Sequence, residues 1–414
     1  MDLTRIPDVL TLVSLIYVTT QIYLFFQLRN YLQRRIADPK WRRLLSGFVL
    51  FVFVLMLVPL AARGLFGGVA NSYYSPLLRG LFSASTIWVV GSSGSCFALI
   101  VYNLFRWIIL FFSRSRAATA TVPDLQRRDF LQKAAGMAAA APFVISGYGV
   151  VVERRRFEVD HFDIPIHGLS SALSQFTIVQ LTDIHVGPFM PPEELAEYVE
   201  QVNRLQPDLV ALTGDFVTSS RTEALPCAEA LAELRARYGV FACLGNHDVY
   251  ARAADMLTLH FGEKGIRTLR NDGTSIRIAN SKIGVVGVDD LKRGKPDLGR
   301  ALAMVQSDAP EVGLLLSHRP EIFPKAARAG LDLVLAGHYH GGQIKLGRGP
   351  ESLSIARFLT PYAEGLFRLP RLNEDSKTKS KGATLFVSRG VGITGLPIRL
   401  NCSPQIAHLT LKKA

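Results

Sequence analysis

The sequence predicts an α/β layered domain preceded by a helical region embedded in a membrane. Five apolar runs in the C-terminal part each stop abruptly at Asp, Asn or His. Buried strands end this way when their C-terminal ends build a site. Helical patterns alternate with these runs, which argues for layered sheets and helices. The N-terminal third instead holds three long apolar spans separated by basic connections.

The chain has 414 residues, 49% of them hydrophobic, and a mean hydropathy of +0.22, high for a wholly soluble protein. Its net charge of +13 is unevenly placed. Residues 1–150 hold 15 Lys/Arg against 5 Asp/Glu, whereas residues 151–414 hold 32 against 29. The basic excess belongs to the N-terminal third, so no nucleic-acid partner is expected. The four cysteines, at positions 96, 227, 243 and 402, form no C-x-x-C pair. That spacing fits buried or free thiols and neither a disulfide framework nor a zinc finger.

Residues 1–115 are read as a transmembrane region of about three helices. Spans 9–28, 45–60 and 83–112 approach or exceed the ~20 residues that cross a bilayer. The run Gly91-Ser-Ser-Gly-Ser95 places small residues inside the third, which lets helices approach closely. The first connection carries Arg29, Arg34, Arg35, Lys40, Arg42 and Arg43 against Asp38, which assigns it to the cytoplasm. The N-terminus and the loop 71–75 then lie outside. Arg114 and Arg116 bring the third span back. The expectation is a multi-pass protein of the cell membrane.

Residues 116–150 are a linker. Arg127-Arg128-Asp129-Phe130-Leu131-Gln132-Lys133 and the apolar 134–146 resemble a twin-arginine export signal, although one placed inside the chain. A fourth, weak membrane helix behind positive-inside arginines explains the same residues. Either reading sends the following domain out of the cytoplasm, to the periplasmic side. A third leaves the domain cytoplasmic behind an amphipathic linker.

Residues 151–414 form the remaining domain. The stretch 150–159 mixes apolar residues and charge as an edge strand does. Its cluster Arg154-Arg155-Arg156 reads equally as a lipid contact or as a solvated edge. Helices are expected over 193–205, 222–238, 251–262 and 320–329, and a strand over 282–288. That strand ends in Asp289-Asp290, read as a rim turn, with approach to the site as the competing reading. His161, His167, His260 and His408 match no ligand pattern, and 371–381 reads as a mobile surface loop.

The five apolar runs lead into Asp183-x-His185, Gly214-Asp215, Gly245-Asn246-His247-Asp248, His318 and Gly337-His338-x-His340. In extended chain, residues two apart point the same way, so each x-spaced pair reaches one centre. Burying so many polar side chains is costly without partners, and a metal ion supplies one. This series, in this order, resembles the calcineurin-like metallophosphoesterase superfamily, in particular its membrane-linked and twin-arginine-exported branch.

The resemblance implies an αββα sandwich and a two-metal phosphoesterase. By it, Asp183, His185 and His340 hold one divalent ion, Asn246, His318 and His338 hold the other, and Asp215 bridges them. His247 is the catalytic histidine, with Asp248 orienting it. Two ions about 3.5–4 Å apart clamp the attacking and leaving oxygens of an in-line displacement by an activated hydroxide. Carboxylate, imidazole and amide ligands suit Mn, Fe or Zn. Gly341-Gly342-Gln343 places glycines where backbone approaches a ligand. Arg389 and Arg399 are candidate phosphate ligands, with structural ion pairs as the competing reading. The expected function is hydrolysis of a phosphoester or pyrophosphate bond on a lipid-linked or envelope substrate. The alternative is a membrane-anchored metal-binding sensor without turnover.

Overall fold

The computed structural model describes residues 6–65, 75–114, 125–369 and 382–414. The loop 71–74, Arg116 and the polar stretch 371–381 lie outside the described residues. The chain divides into two compact units near residue 151.

The first unit is helical: α1 (Ile6–Arg35), α2 (Pro39–Leu65), α3 (Pro76–Arg114) and α4 (Leu125–Val151). The expected spans fall in α1, α2 and α3, and the twin-arginine-like residues form the start of α4. Among the described residues two helical stretches are long and apolar enough to cross a membrane, Pro76–Ile109 and Lys133–Arg155. The second overlies the apolar 134–146, the weak fourth helix of the sequence reading. The small residues of α3 let α4 pack tightly against it. A Cβ on Gly91 would lie 2.5 Å from Phe143 Cδ1, and one on Gly94 would lie 2.7 Å from Pro142 Cβ. Ser95 Oγ donates to the carbonyl of Ala139, and Ser146 Oγ to that of Ile87 at 3.2 Å.

The second unit is built on two six-stranded sheets. The first has the order β1-β14-β2-β3-β4-β5 (Glu158–Ile166, Gln405–Lys413, Thr177–Leu181, Leu209–Thr213, Val240–Cys243, Ile266–Thr268). The other runs β12-β13-β9-β8-β7-β6 (Gly365–Leu369, Ala383–Val387, Leu333–Ala336, Val312–Leu316, Ser281–Gly287, Asp272–Ile278). The strands β2 to β5 are mutually parallel, as are β7, β8, β9 and β13.

The sheets face each other across one core. Ile178, Leu209 and Phe241 of the first meet Val285, Leu314, Leu333 and Phe386 of the second. Each such fully buried side chain contributes about 1.5–3 kcal/mol. Helices α5 (Pro192–Arg204), α6 (Ala224–Leu231), α7 (Asn246–Tyr250) and α8 (Ala254–Glu263) belong to the first half of the unit. A second core lies outside the first sheet, where Leu195, Val199, Ala228, Leu257 and Phe261 cover Val179, Leu212 and Ala242. A third lies outside the other sheet, where α9 (Leu298–Gln306) and α10 (Phe323–Arg328) cover Val286, Leu315 and Val334. The layering is the expected αββα sandwich.

Some bounds move. The helix expected over 222–238 is shorter, because Ser220 and Glu223 form a capping box at its start and the chain turns back after α6. The edge strand starts at Glu158, after a 3-10 turn in which Arg154 is buried and donates to the Phe189 carbonyl at 2.7 Å. All four cysteines are free and buried.

Candidate metal centre

The parallel strands of both sheets deliver their C-terminal ends to one edge of the sandwich. Gln180 ties the sheets together beneath that edge, with Nε2 donating to Ala336 O at 2.9 Å and to Thr213 Oγ1 at 2.7 Å. The expected residues follow directly: Asp183 after β2, Asp215 after β3, Asn246 after β4, His318 after β8 and His338 after β9.

Extended geometry is not what aims them. Asp183, His185, Asp215, His338 and His340 all adopt positive φ, between 51° and 77°. Each left-handed residue of this kind costs about 1–2 kcal/mol. The chain therefore leaves the sheet sharply at each strand end, and x-spaced partners converge through the turn rather than through period-2 alternation. Glycines supply the room. A Cβ on Gly245 would collide with the backbone and carboxylate of Asp215, and one on Gly337 with Asp183 and Thr182. The glycines of G-N-H-D and G-H-x-H are thus there for close approach. Gly341 and Gly342, at φ +59° and +86°, instead make room for Glu364, Cys402 and Ser354 of the same chain.

Three groups of donor atoms gather here, each within 4.8 Å: Asp183, His185 and His340; His185, Asp215 and His247; Asp215, His318 and His338. His340 Nε2 lies 3.2 Å from Asp183 Oδ1 and 3.2 Å from His185 Nε2. Asp215 Oδ2 lies 3.6 Å from His185 Nε2 and 3.1 Å from His318 Nε2. His338 Nδ1 lies 3.2 Å from His318 Nε2. Asp215 belongs to the second and third groups and approaches His185 of the first, so it stands between the two ends of the cluster. The carbonyl of Thr213 accepts from His318 Nδ1 at 2.9 Å, so the Nε2 of this ring faces the cluster. Both carboxylates are buried and face buried imidazole nitrogens with no thiolate among them. Divalent cations of the Mn, Fe or Zn class fit this donor set and would neutralise its buried charge.

The electrostatics favour ligation. Burial pushes His185 down to about 3 and His338 to about 2, and lowers His340 as well. These rings are neutral at neutral pH, with lone pairs free for a metal. Burial raises Asp183 to about 6. Burial also opposes ionisation of Asp215, but His318 and its other histidine neighbours outweigh it and hold the carboxyl well below its usual range. His318 is the counterpart: burial disfavours its charge, yet Asp215 and Asp183 raise it to about 10.

His247 donates from Nδ1 to the Thr218 carbonyl at 2.7 Å. That bond fixes the ring and leaves Nε2 for proton exchange. The orienting role expected of Asp248 therefore falls to Thr218. Asp248 accepts from the backbone N–H groups of Asp215, Phe216, Val217 and Gly245 at 2.7–3.2 Å. It ties the β3 and β4 turns together, and burial raises it to about 7.

The arginines differ from expectation. Arg399 is fully buried, and its guanidinium donates to the carbonyls of Gly392, Cys402, Arg389 and Gly390. Arg389 pairs with Glu158 at 3.0 Å and Asp160 at 2.9 Å. Both brace the return of the chain into β14, because adjacent carbonyls and carboxylates claim their donors. Neither is offered to a phosphate.

A different arginine stands in the centre. Arg319 donates from Nη2 to Asn246 Oδ1 at 3.0 Å, and its Nη1 lies 2.5 Å from His338 Nε2. Its Nε is held by Asp290 Oδ2 at 2.8 Å. Asp290 opens the turn expected there, with Oδ1 accepting from the N–H groups of Lys292 and Arg293, and is at the same time a buried anchor for Arg319. It follows β7 just as the ligands follow their strands, and that shared rule was the signal available in the sequence. Arg319 had only its place beside His318.

Residues 176–342 match the calcineurin-like phosphoesterase family. The chain is 28% identical over 348 residues to a transmembrane protein with metallophosphoesterase domain from Danio rerio, covering 79% of this chain and 74% of that one. It is 29% identical over 301 residues to the uncharacterized metallophosphoesterase YkuE of Bacillus subtilis, covering 70% and 98%. Over 244 residues it is 31% identical to an uncharacterized metallophosphoesterase of Aquifex aeolicus, covering 58% and 86%.

Proposed function

The chain belongs to the calcineurin-like metallophosphoesterase family and is a metal-dependent phosphoric ester hydrolase, and from that premise we propose a membrane-anchored enzyme with a two-metal centre. The observation that carries this reading is the position of Asp215, whose Oδ2 lies 3.6 Å from His185 Nε2 of the first donor group and 3.1 Å from His318 Nε2 of the third. Asp183, His185 and His340 would hold one ion and Asn246, His318 and His338 the other, with Asp215 common to both. When bound, such ions supply Lewis acidity to the phosphoryl group and to the attacking water.

The side chains do the rest. Asp248 fixes the turns that carry Asp215 and His247. His247, its Nδ1–H committed to Thr218, presents Nε2 to the leaving-group oxygen and, as the imidazolium, gives it the Nε2 proton and is left neutral. Arg319, held by Asp290, places a cation beside Asn246 and His338, where it attracts the substrate phosphate.

The substrate is a phosphomonoester, phosphodiester or pyrophosphate, and membrane anchorage favours a lipid-linked or envelope compound. The similarity to Danio rerio and Bos taurus relatives named as transmembrane proteins with a metallophosphoesterase domain supports anchorage. Charge in the first connection and the twin-arginine-like segment favour several spans and a domain on the periplasmic side.

The test is hydrolysis of p-nitrophenyl phosphate and bis-p-nitrophenyl phosphate by the full chain in detergent with Mn²⁺, beside Asp215→Asn. Turnover that collapses in the variant supports the two-metal reading, and the preferred ester narrows the substrate class. Equal turnover in both proteins overturns it.

A further inference from the structure

We propose that α11 (Ile355–Leu359) and the hairpin before it dock into the surface of an anionic lipid bilayer beside the metal centre. This rests on the anchorage proposed above.

The first observation is where apolar surface is exposed. Among the described residues after Val152, ten large hydrophobic side chains are exposed, and six of them fall within residues 346–366. Leu346 is 72% exposed, Ile355 75%, Phe358 78% and Leu359 64%. They form one patch. Leu346 and Leu353 are paired across the hairpin β10 (Lys345–Leu346) and β11 (Leu353–Ser354). Ile355, Phe358 and Leu359 follow at i, i+3 and i+4, on one face of α11. A soluble surface rarely concentrates apolar side chains so tightly unless something covers them.

The second observation is charge. Within residues 346–369 the acids are Glu351 and Glu364. Glu364 is buried on Lys345 and Glu351 pairs with Arg357. Arg348 and Arg368 are exposed and add net positive charge to the patch. Apolar side chains flanked by basic ones are what an interfacial segment needs on anionic lipid.

The third is continuity. The candidate span Lys133–Arg155 is separated from β1, which begins at Glu158, by two residues of chain.

The patch is also joined to the chemistry. A Cβ on Gly342, two residues after His340, would lie 2.6 Å from Ser354 Cβ and 3.4 Å from Ala356 Cβ. The root of α11 therefore rests on the turn that carries a metal ligand. Docking by α11 brings that turn to the headgroup layer, where phosphate esters of lipids lie. The substrate class this selects is a phosphoester at a lipid headgroup.

The experiment places a nitroxide at Phe358→Cys in the full chain, reconstituted in nanodiscs containing phosphatidylglycerol. The native cysteines are buried and escape labelling. Power saturation compares collisions with oxygen, which concentrates in lipid, and with a water-soluble nickel chelate. Labels at Phe97→Cys, in a candidate span, and Leu259→Cys, on α8, serve as references. The expected result is oxygen-dominated relaxation at 358 and 97 and nickel-dominated relaxation at 259. Nickel dominance at 358 with oxygen dominance at 97 overturns the docking and leaves anchorage standing. Nickel dominance at both overturns anchorage and docking together. A label at 358 shielded from both reagents and dipolar-coupled to a second label assigns the patch to another copy of this chain, which also overturns the proposal.

Discussion

The two units of this chain place polar groups by opposite rules. In the helical unit the large apolar side chains face outward: Ile22, Phe48, Phe51, Phe97 and Trp107 are all at least half exposed. The polar contacts lie inside, where Gln21 Nε2 donates to Ser92 Oγ at 2.9 Å and Gln21 Oε1 accepts from Trp88 Nε1 at 2.9 Å. The catalytic unit buries Leu, Ile and Val between and outside its sheets and gathers Asp, His and Arg at one edge. The first arrangement suits lipid, where outward apolar surface costs nothing and internal hydrogen bonds hold the helices. The second suits water, where apolar burial drives folding and buried polar groups survive only with partners. The surface of 346–366 departs from the second rule, and for that reason draws attention to itself.

The largest expected effect separates chemistry from scaffold. His247→Ala is expected to lower turnover about 10²–10⁴-fold, the range for losing a general acid. Its metal content, measured by elemental analysis, should be unchanged, since its backbone N–H and not its ring holds Asp215. Loss of metal in this variant would make His247 a ligand and break the assignment.

A matched pair of glycine substitutions sharpens the contrast between the units. Gly91→Leu drives a side chain into Phe143 and is expected to destabilise the helical unit by about 1–3 kcal/mol. The emission of Trp88, packed 5.6 Å from Phe143, should report it, while metal binding stays intact. Gly245→Ala meets Asp215 and should do the reverse, weakening metal binding in a calorimetric titration.

Acidity probes the centre next. His318, raised to about 10, carries a proton at pH 7 in the metal-free protein. A metal must displace it, so loading releases a proton, and affinity rises about tenfold per pH unit up to that value. Because the folded state holds this proton more tightly than the unfolded chain, the stability it confers on the metal-free protein is full below the ordinary histidine value. It is lost as pH rises through about 10. Titration calorimetry in buffers of different ionisation enthalpy counts the protons; none released at pH 7 would refute the assignment.

The smallest effect belongs to the helical interior. Gln21→Leu removes a bridge between Ser92 and Trp88 and is expected to cost about 0.6 kcal/mol, the average for such bonds in membranes. A shift in thermal unfolding above 2–3 kcal/mol would mean this interior depends on its polar contacts as the catalytic edge does.

The sequence by itself pointed to the layered fold, to the polar residues gathered at the strand ends and to a close helix contact at the small residues of α3. Each rests on a local pattern: an apolar run that stops at a polar residue, or small residues spaced along a helix. Such patterns are legible because strand burial and helix contact are set by neighbours in the chain. Only the tertiary structure decided the rest. The left-handed turns at Asp183, His185, Asp215, His338 and His340 depend on glycines such as Gly245 and Gly337, whose close neighbours come from other strand ends. Asp248 went to four backbone amides, Arg389 and Arg399 to nearby carboxylates and carbonyls, and Arg319 to Asp290, Asn246 and His338. A charged side chain takes whichever buried partner the fold brings within hydrogen-bond reach. For Asp290 and Arg319 that partner lies 29 residues away in the chain and 2.8 Å away in space.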